Sequence, residues 1–281
     1  MTPSTIATAE LLSLARAVAL EAGALVLEAR RGVVVVADRK SSSVDVVTQV
    51  DRDAEALIRG RLAEARPHDG FFGEESGAAS GSSGLTWVVD PIDGTVNFLY
   101  GIPHYAVSIA VVEGEADPQR WRALAGVVVN PATGELFTAT AGGGAFLDDR
   151  SLQVNPAVDL SQALVATGFA YAAHTRAEQG AAVARLLPLV RDVRRMGTAS
   201  LDLCAVASGR VDAYFERTLS PWDHAAGALI AAEAGARVTG MPGLRADDRF
   251  VLAAHPELAV ALERVLVEVE ALPSEATNVS P

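Results

Sequence analysis

Asp90-Pro91-Ile92-Asp93-Gly94-Thr95 is the stretch of this chain best equipped for chemistry. It follows Trp87-Val88-Val89, an apolar run that reads as a strand. A strand ending in Asp90 presents a carboxylate at the sheet's edge. Pro91 fixes its own φ and offers no N–H, so the chain leaves the strand in a defined direction. A tight turn brings Asp93 toward the same point. Gly94 permits positive φ and close approach of a ligand to the backbone. Thr95 is a good helix N-cap, which would aim free N–H groups at an anion. Two carboxylates beside an anion site need a cation between them, and the pattern points to a metal-bridged phosphate site. Read only locally, it is an Asx-Pro turn followed by a capping threonine.

Other acids carry the same ambiguity when taken alone. Gly73-Glu74-Glu75-Ser76 closes a short predicted strand, where two solvated acids are ordinary. Asp51 opens a predicted helix and Asp223 precedes Ala225 and Ala226, so both suit helix caps. Glu216 suits a solvated strand end.

Taken together, these segments resemble the inositol monophosphatase family of magnesium-dependent, lithium-sensitive phosphatases. Asp90 to Thr95 is similar to its first signature. Trp222-Asp223-His224-Ala225-Ala226-Gly227, continuing through Glu233-Ala234-Gly235, is similar to its second. Gly73-Glu74-Glu75 matches its Gly-Glu-Glu segment. Lys40-Ser41-Ser42 and Asp45-Val46-Val47-Thr48, ending at Asp51, match its N-terminal loop and the helix start after it. The elements fall in family order across about residues 10 to 255, and bacterial, especially actinobacterial, members are the nearest in pattern. Three departures touch the leaving-group side and so bear on substrate identity. Ser220-Pro221 stand where animal members carry His-Cys, Ala236 stands where the second signature usually ends in Gly, and Thr167-Gly168-Phe169 follows the bacterial style.

The resemblance implies a site, residue by residue. Glu74, Asp90 and the Ile92 carbonyl would hold a first magnesium; Asp90, Asp93 and Asp223 a second; Glu74 and water a weaker third. The nucleophile would be a water activated by the metal, its proton passing toward Thr95 and Asp51. Threonine is too weak an acid to serve as a base alone, so the partner carboxylate supplies the basicity. Backbone N–H groups of Gly94 and Thr95 would hold phosphate oxygens, with Asp93 beside the substrate. The turn Gly197-Thr198-Ala199 would meet the substrate through Ala199, and Glu216 would bind its hydroxyls. Lys40 would order a loop over the site. The implied fold is an αβαβα layered sandwich of α/β (α+β) class, the implied assembly a homodimer, and the implied reaction hydrolysis of myo-inositol monophosphate. Fructose 1,6-bisphosphate and histidinol phosphate are the alternatives within the same chemistry. A regulatory protein of a transcription complex is the alternative outside it.

Periodicity supplies the elements that must position these residues. Helical spacing is expected near residues 8–31, 51–65, 175–187, 199–208, 223–235 and 256–271. Strands are expected at 33–36, 71–74, 86–89, 105–112, 123–129, 135–139, 163–167, 190–194, 211–215 and 250–254. Loops are expected at 38–43 and 77–84, a hairpin connection at Asn130–Gly134, and a loose tail over the last residues. Strands dominate the first half and strands alternate with helices in the second. The expected division is therefore 1–150 and 151–281, packed as one unit.

Composition narrows the class. The chain has 281 residues, half of them hydrophobic, which suits a well-packed globular protein. A net charge of -12 argues against a broad nucleic-acid footprint and suits a protein that gathers divalent cations. Cys204 is the one cysteine, so no intrachain disulfide forms and a reducing, cytoplasmic setting is expected. The N-terminus lacks a secretory pattern, and the apolar stretch Leu11 to Leu27 carries Arg16 and Glu21, which argues against a membrane span. Of 23 basic residues only Lys40 is lysine, and an ammonium, unlike a guanidinium, is a compact point charge able to fit a crowded loop.

Overall fold

A computed structural model describes residues 5–32, 34, 36–39 and 46–272. Lys40, most of the expected 38–43 loop and the expected tail lie outside the described residues. Helix α1 (Thr5–Arg30) leads to a small antiparallel ribbon, β1 (Val36–Arg39) with β2 (Val46–Thr48), and then to α2 (Gln49–Ala65). The expected strand at 33–36 therefore sits later, and it takes in Asp38 and Arg39 of the expected loop.

The next strands are β3 (Gly70–Gly73), β4 (Gly77–Ala79), β5 (Leu85–Asp93), β6 (Ala106–Glu113), β7 (Arg122–Val129), β8 (Leu136–Thr140), β9 (Gly144–Leu147) and β10 (Arg150–Ser151). They form one sheet in the order β10-β9-β8-β7-β6-β5-β3-β4, antiparallel throughout except for the parallel pair β3 and β5. The expected 77–84 loop thus begins with an edge strand, β4, because Gly77 at φ 71 turns the chain back onto β3. Asn130–Gly134 is a hairpin connection as expected: the Asn130 Oδ1 accepts the N–H groups of Ala132 and Thr133, and Gly134 takes φ 78.

The second half contributes β11 (Leu164–Thr167), α4 (Ala173–Leu186), β12 (Asp192–Arg194), α5 (Ala199–Ala207), β13 (Ala213–Glu216), α6 (Pro221–Glu233), β14 (Arg237–Thr239), β15 (Val251–Ala254) and α7 (Pro256–Glu268). Its sheet runs β12-β11-β13-β15-β14, parallel among the first three and antiparallel at β15.

Period-two alternation assigns each sheet two buried faces. Val89, Ile109 and Val127 of the large sheet pack on α1 and α2 through Ala15, Val18, Ala22 and Ile58. Val88, Ala110 and Val128, on the opposite face, pack on α5 and α6 through Leu201, Cys204, Ala226 and Ile230. The other side of that helical layer, with Leu203, Val206 and Ala231, covers Ala166, Tyr214 and Val251 of the smaller sheet. Val165, Phe215 and Leu252 face outward onto α4 and α7. The layers are α1/α2, large sheet, α5/α6, small sheet, α4/α7, which is the αβαβα sandwich. The middle layer sits close to both neighbours. A Cβ built at Gly126 of β7 would come within 3.1 Å of the Ala226 backbone on α6, and one at Gly227 within 2.9 Å of Leu203 on α5.

Candidate active site

β5 lies inside the large sheet and is buried from Trp87 through Asp93. On β6, Asp90 pairs with Ser108 and Asp93 with Ala106, so β5 spends one residue more than its partner there. In an even strand, residues three apart face opposite sides of the sheet. The bulge removes that opposition and turns both carboxylates toward one cavity. The Asp90 Oδ1 also accepts the Ile92 N–H at 3.0 Å, fixing the turn.

The chain then enters the short helix α3 (Thr95–Tyr100). Thr95 was expected as its N-cap; the cap is Gly94, at φ 89 and ψ 39, and Thr95 is the first helical residue. Gly94 takes this place because the left-handed conformation favours glycine and because a Cβ would strike Thr198. Freed from capping, the Thr95 hydroxyl lies 3.0 Å from the Ile92 carbonyl and 3.2 Å from Asp51 Oδ1.

Asp51 is a capping residue as well as a neighbour of Thr95. It stands at the third position of α2, and its Oδ2 accepts the Thr48 N–H at 2.8 Å and the Thr48 hydroxyl. Asp223 repeats the device at α6, where its Oδ2 accepts the Ser220 N–H at 2.6 Å and Pro221 occupies the first turn. In both cases the cap and the proximity to the cavity coexist, since a carboxylate has two oxygens.

Glu74 follows β3 and lines the cavity, while the next backbone N–H, of Glu75, donates to the buried Glu55 at 2.8 Å. The cavity holds about 500 Å³. Glu74, Asp90, Asp93, Glu216 and Asp223 stand on its wall with Thr95 and Ala199. Among the described residues Arg195 is the one basic side chain facing them, and no ion pair engages it.

Burial, first, and then the charges of their neighbours push Asp90 and Asp223 well above the usual carboxylate range. Asp93 is pushed up to about 7 by burial, against the pull of Ser200, whose N–H and hydroxyl donate to it at 2.7 and 2.5 Å. That pair of bonds places the N-terminus of α5 against Asp93, where the helix dipole favours negative charge. Burial also raises Asp51 to about 6, opposed by its bonds from Thr48. Glu216, at the end of β13, is raised to about 7 by burial while accepting the Tyr214 hydroxyl at 2.7 Å. Deeper in α5, Asp202 is 1% exposed and neither carboxylate oxygen has a partner.

This donor set suits hard divalent cations: oxygen ligands of like charge, held together out of water with one base nearby. Among the described residues no three of them already close on a single point, so the fit rests on the identity and shared location of the donors. Every expected site residue that lies among the described residues is in this region. Glu74, Asp90, Ile92, Asp93, Gly94, Thr95, Ala199, Glu216 and Asp223 line the cavity, and Asp51 sits directly behind Thr95. Ser200, Tyr214 and Arg195 were not anticipated. Ser200 adjoins the expected 197–199 turn and was within reach of the reading; the other two gave no local signal.

The sequence profile of the inositol monophosphatase family matches residues 7–272. The inositol-1-monophosphatase SuhB of Mycobacterium tuberculosis is 48% identical over 239 residues, covering 80% of both chains. The Nus factor SuhB of Xylella fastidiosa is 40% identical over 237 residues, covering 81% of this chain and 84% of that one. The crystal structure of extragenic suppressor protein suhB from Bartonella henselae superposes with a TM-score of 0.84 at 37% identity, covering 92% of this chain and 98% of that one.

Proposed function

Because the chain belongs to the inositol monophosphatase family and is a phosphatase, we propose that it hydrolyses myo-inositol monophosphate to inositol and phosphate with magnesium as cofactor. The observation that carries this reading is the gathering of Glu74, Asp90, Asp93 and Asp223 on one cavity wall. Glu74, Asp90, the Ile92 carbonyl, Asp93 and Asp223 would hold two ions, with a weaker third beside Glu74. Bound magnesium would supply Lewis acidity at the phosphoryl oxygens and the attacking water.

The chain's own groups do the rest. The Thr95 oxygen accepts the proton of the attacking water while its hydroxyl donates to Asp51, which is left protonated. The Gly94 and Thr95 N–H groups orient the phosphate. Glu216, steadied by Tyr214, accepts a ring hydroxyl of the leaving alcohol, and Ala199 bounds the space beside it.

The deciding experiment is phosphate release with magnesium, compared on inositol 1-phosphate, fructose 1,6-bisphosphate and histidinol phosphate. A clear preference for either of the latter two moves the assignment to that substrate. Activity on none of them at saturating magnesium overturns the reading. We propose a homodimer as the working assembly, to be checked by sedimentation. The Xylella relative's name favours a second reading, a role in a transcription complex. Association with RNA polymerase that survives removal of divalent cations would support it.

A further inference from the structure

Arg217 is out of keeping with the other arginines of this chain. It follows β13 directly, and its side chain is only 9% exposed. Its Nε is buried without a partner. The nearest acid is Glu178, with Oε2 3.8 Å from Nη2, beyond hydrogen-bond reach, and that side chain is 61% exposed. A guanidinium keeps its charge and carries five N–H donors in a planar fork. A buried charge without matched acceptors is costly, so this group is set up to receive acceptors that the protein does not provide.

Arg217 lines an open groove of about 1540 Å³ between α4, the turn before α6, the 241–249 loop and α7. Two other arginines stand on its walls, both committed, together with the acids Glu178, Asp248 and Glu270. Arg185 donates to the Val269 carbonyl and to Glu270 at 3.0 Å, and Arg249 binds Asp247. Thr175 and Ser220 add hydroxyls to the same walls. Thr218, Leu219 and Ser220 separate this groove from the catalytic cavity and line both.

We propose that Arg217 anchors a second, non-catalytic anion site in this groove, for a phosphate-type oxyanion presented as inorganic phosphate or as a phosphate monoester. A fork of donors beside hydroxyls matches the adjacent oxygens of such a group. The site differs in kind from the catalytic cavity. Five carboxylates there repel an anion unless cations intervene, whereas the acids of the groove include the largely exposed Glu178 and Glu270, and Arg217 needs no divalent cation.

The test is titration of the full-length protein, stripped of divalent cations by chelating resin, with inorganic phosphate. Heat of binding and thermal shift are read against sodium chloride of equal ionic strength. Saturable binding is expected, weakened 10- to 100-fold in Arg217→Gln, as loss of charge-assisted hydrogen bonds implies. Asp90→Asn should bind as the wild type does. Glu178→Gln removes the nearby acid and should bind several-fold tighter, which keeps the test decisive if Arg217→Gln fails to fold. A parallel titration with phenyl phosphate separates the sources: equal or tighter binding identifies a monoester site, and weaker binding a site for free phosphate. The proposal is overturned by absence of saturation, by an equal effect of chloride, by loss of binding in Asp90→Asn, or by unchanged affinity in Arg217→Gln or Glu178→Gln.

Discussion

The Thr95 hydroxyl lies 3.2 Å from one oxygen of Asp51, while the other oxygen of Asp51 closes the capping box of α2. One residue thus ties the start of a structural helix to the proposed proton path. Asp51→Asn retains an acceptor for the cap but loses the basicity. Turnover of inositol phosphate is expected to fall about 10²- to 10⁴-fold with little change in melting temperature. A variant that loses folding and activity in parallel would reduce Asp51 to a cap.

Asp90→Asn is expected to abolish hydrolysis nearly completely, because Asp90 is assigned to both cations. The same change should raise the melting temperature of the metal-stripped protein, since it removes one of several carboxylates that repel each other in a buried wall. Near-normal turnover at saturating magnesium would falsify the assignment.

Glu216 is judged by comparing substrates. If it accepts a hydroxyl of the leaving group, Glu216→Gln should lower turnover of inositol phosphate about 10- to 100-fold more than that of a plain aryl phosphate. Tyr214→Phe removes the hydroxyl that steadies it and should reproduce a part of the loss. Equal losses on both substrates would take Glu216 out of substrate recognition.

Asp202 gives a pH signature of stability. Burial, then the charges of Glu216 and Asp93, push its carboxyl well above the usual range. The folded chain therefore holds this proton more tightly than the unfolded chain does. The resulting contribution is fully present below the unfolded value and is lost as pH rises through the raised folded value. Asp202→Asn stays neutral at every pH. Its stability relative to the wild type should climb as pH rises above the ordinary carboxylate range. Urea denaturation of both proteins from acid to neutral pH measures it; a constant difference would show that Asp202 ionises in the fold as readily as in the unfolded chain.

Residues close in sequence carried most of what could be read without coordinates. Asp90, Asp93 and Thr95 announce a turn, and the apolar run Trp87-Val88-Val89 reads as the strand that leads into it. The bulge that turns both carboxylates one way was not legible, because it exists only in register with Ser108 and Ala106 on the next strand. Thr95 was misread as a cap because the local pattern does not reveal that Gly94 takes the left-handed conformation first. Tyr214 sits in an apolar strand and reads as core, and Arg195 is one arginine among many. The strands β9, β10 and β14 have between two and four residues, too few to show a period.

Asp223 reaches the cavity from α6, while Glu74, Asp90 and Asp93 come from the large sheet and its connections. Nothing covalent sets the gap between them. It is set where α6 rests on Gly126 and where α5, which holds Asp93 through Ser200, rests against Gly227. A methyl group at either glycine would act as a shim, widening the jaws proposed to grip the cations while leaving every acid in the sequence. A tight tolerance for sequence drift therefore falls on two positions that take no part in the reaction, and a lesion there would yield a folded, soundly packed and idle protein.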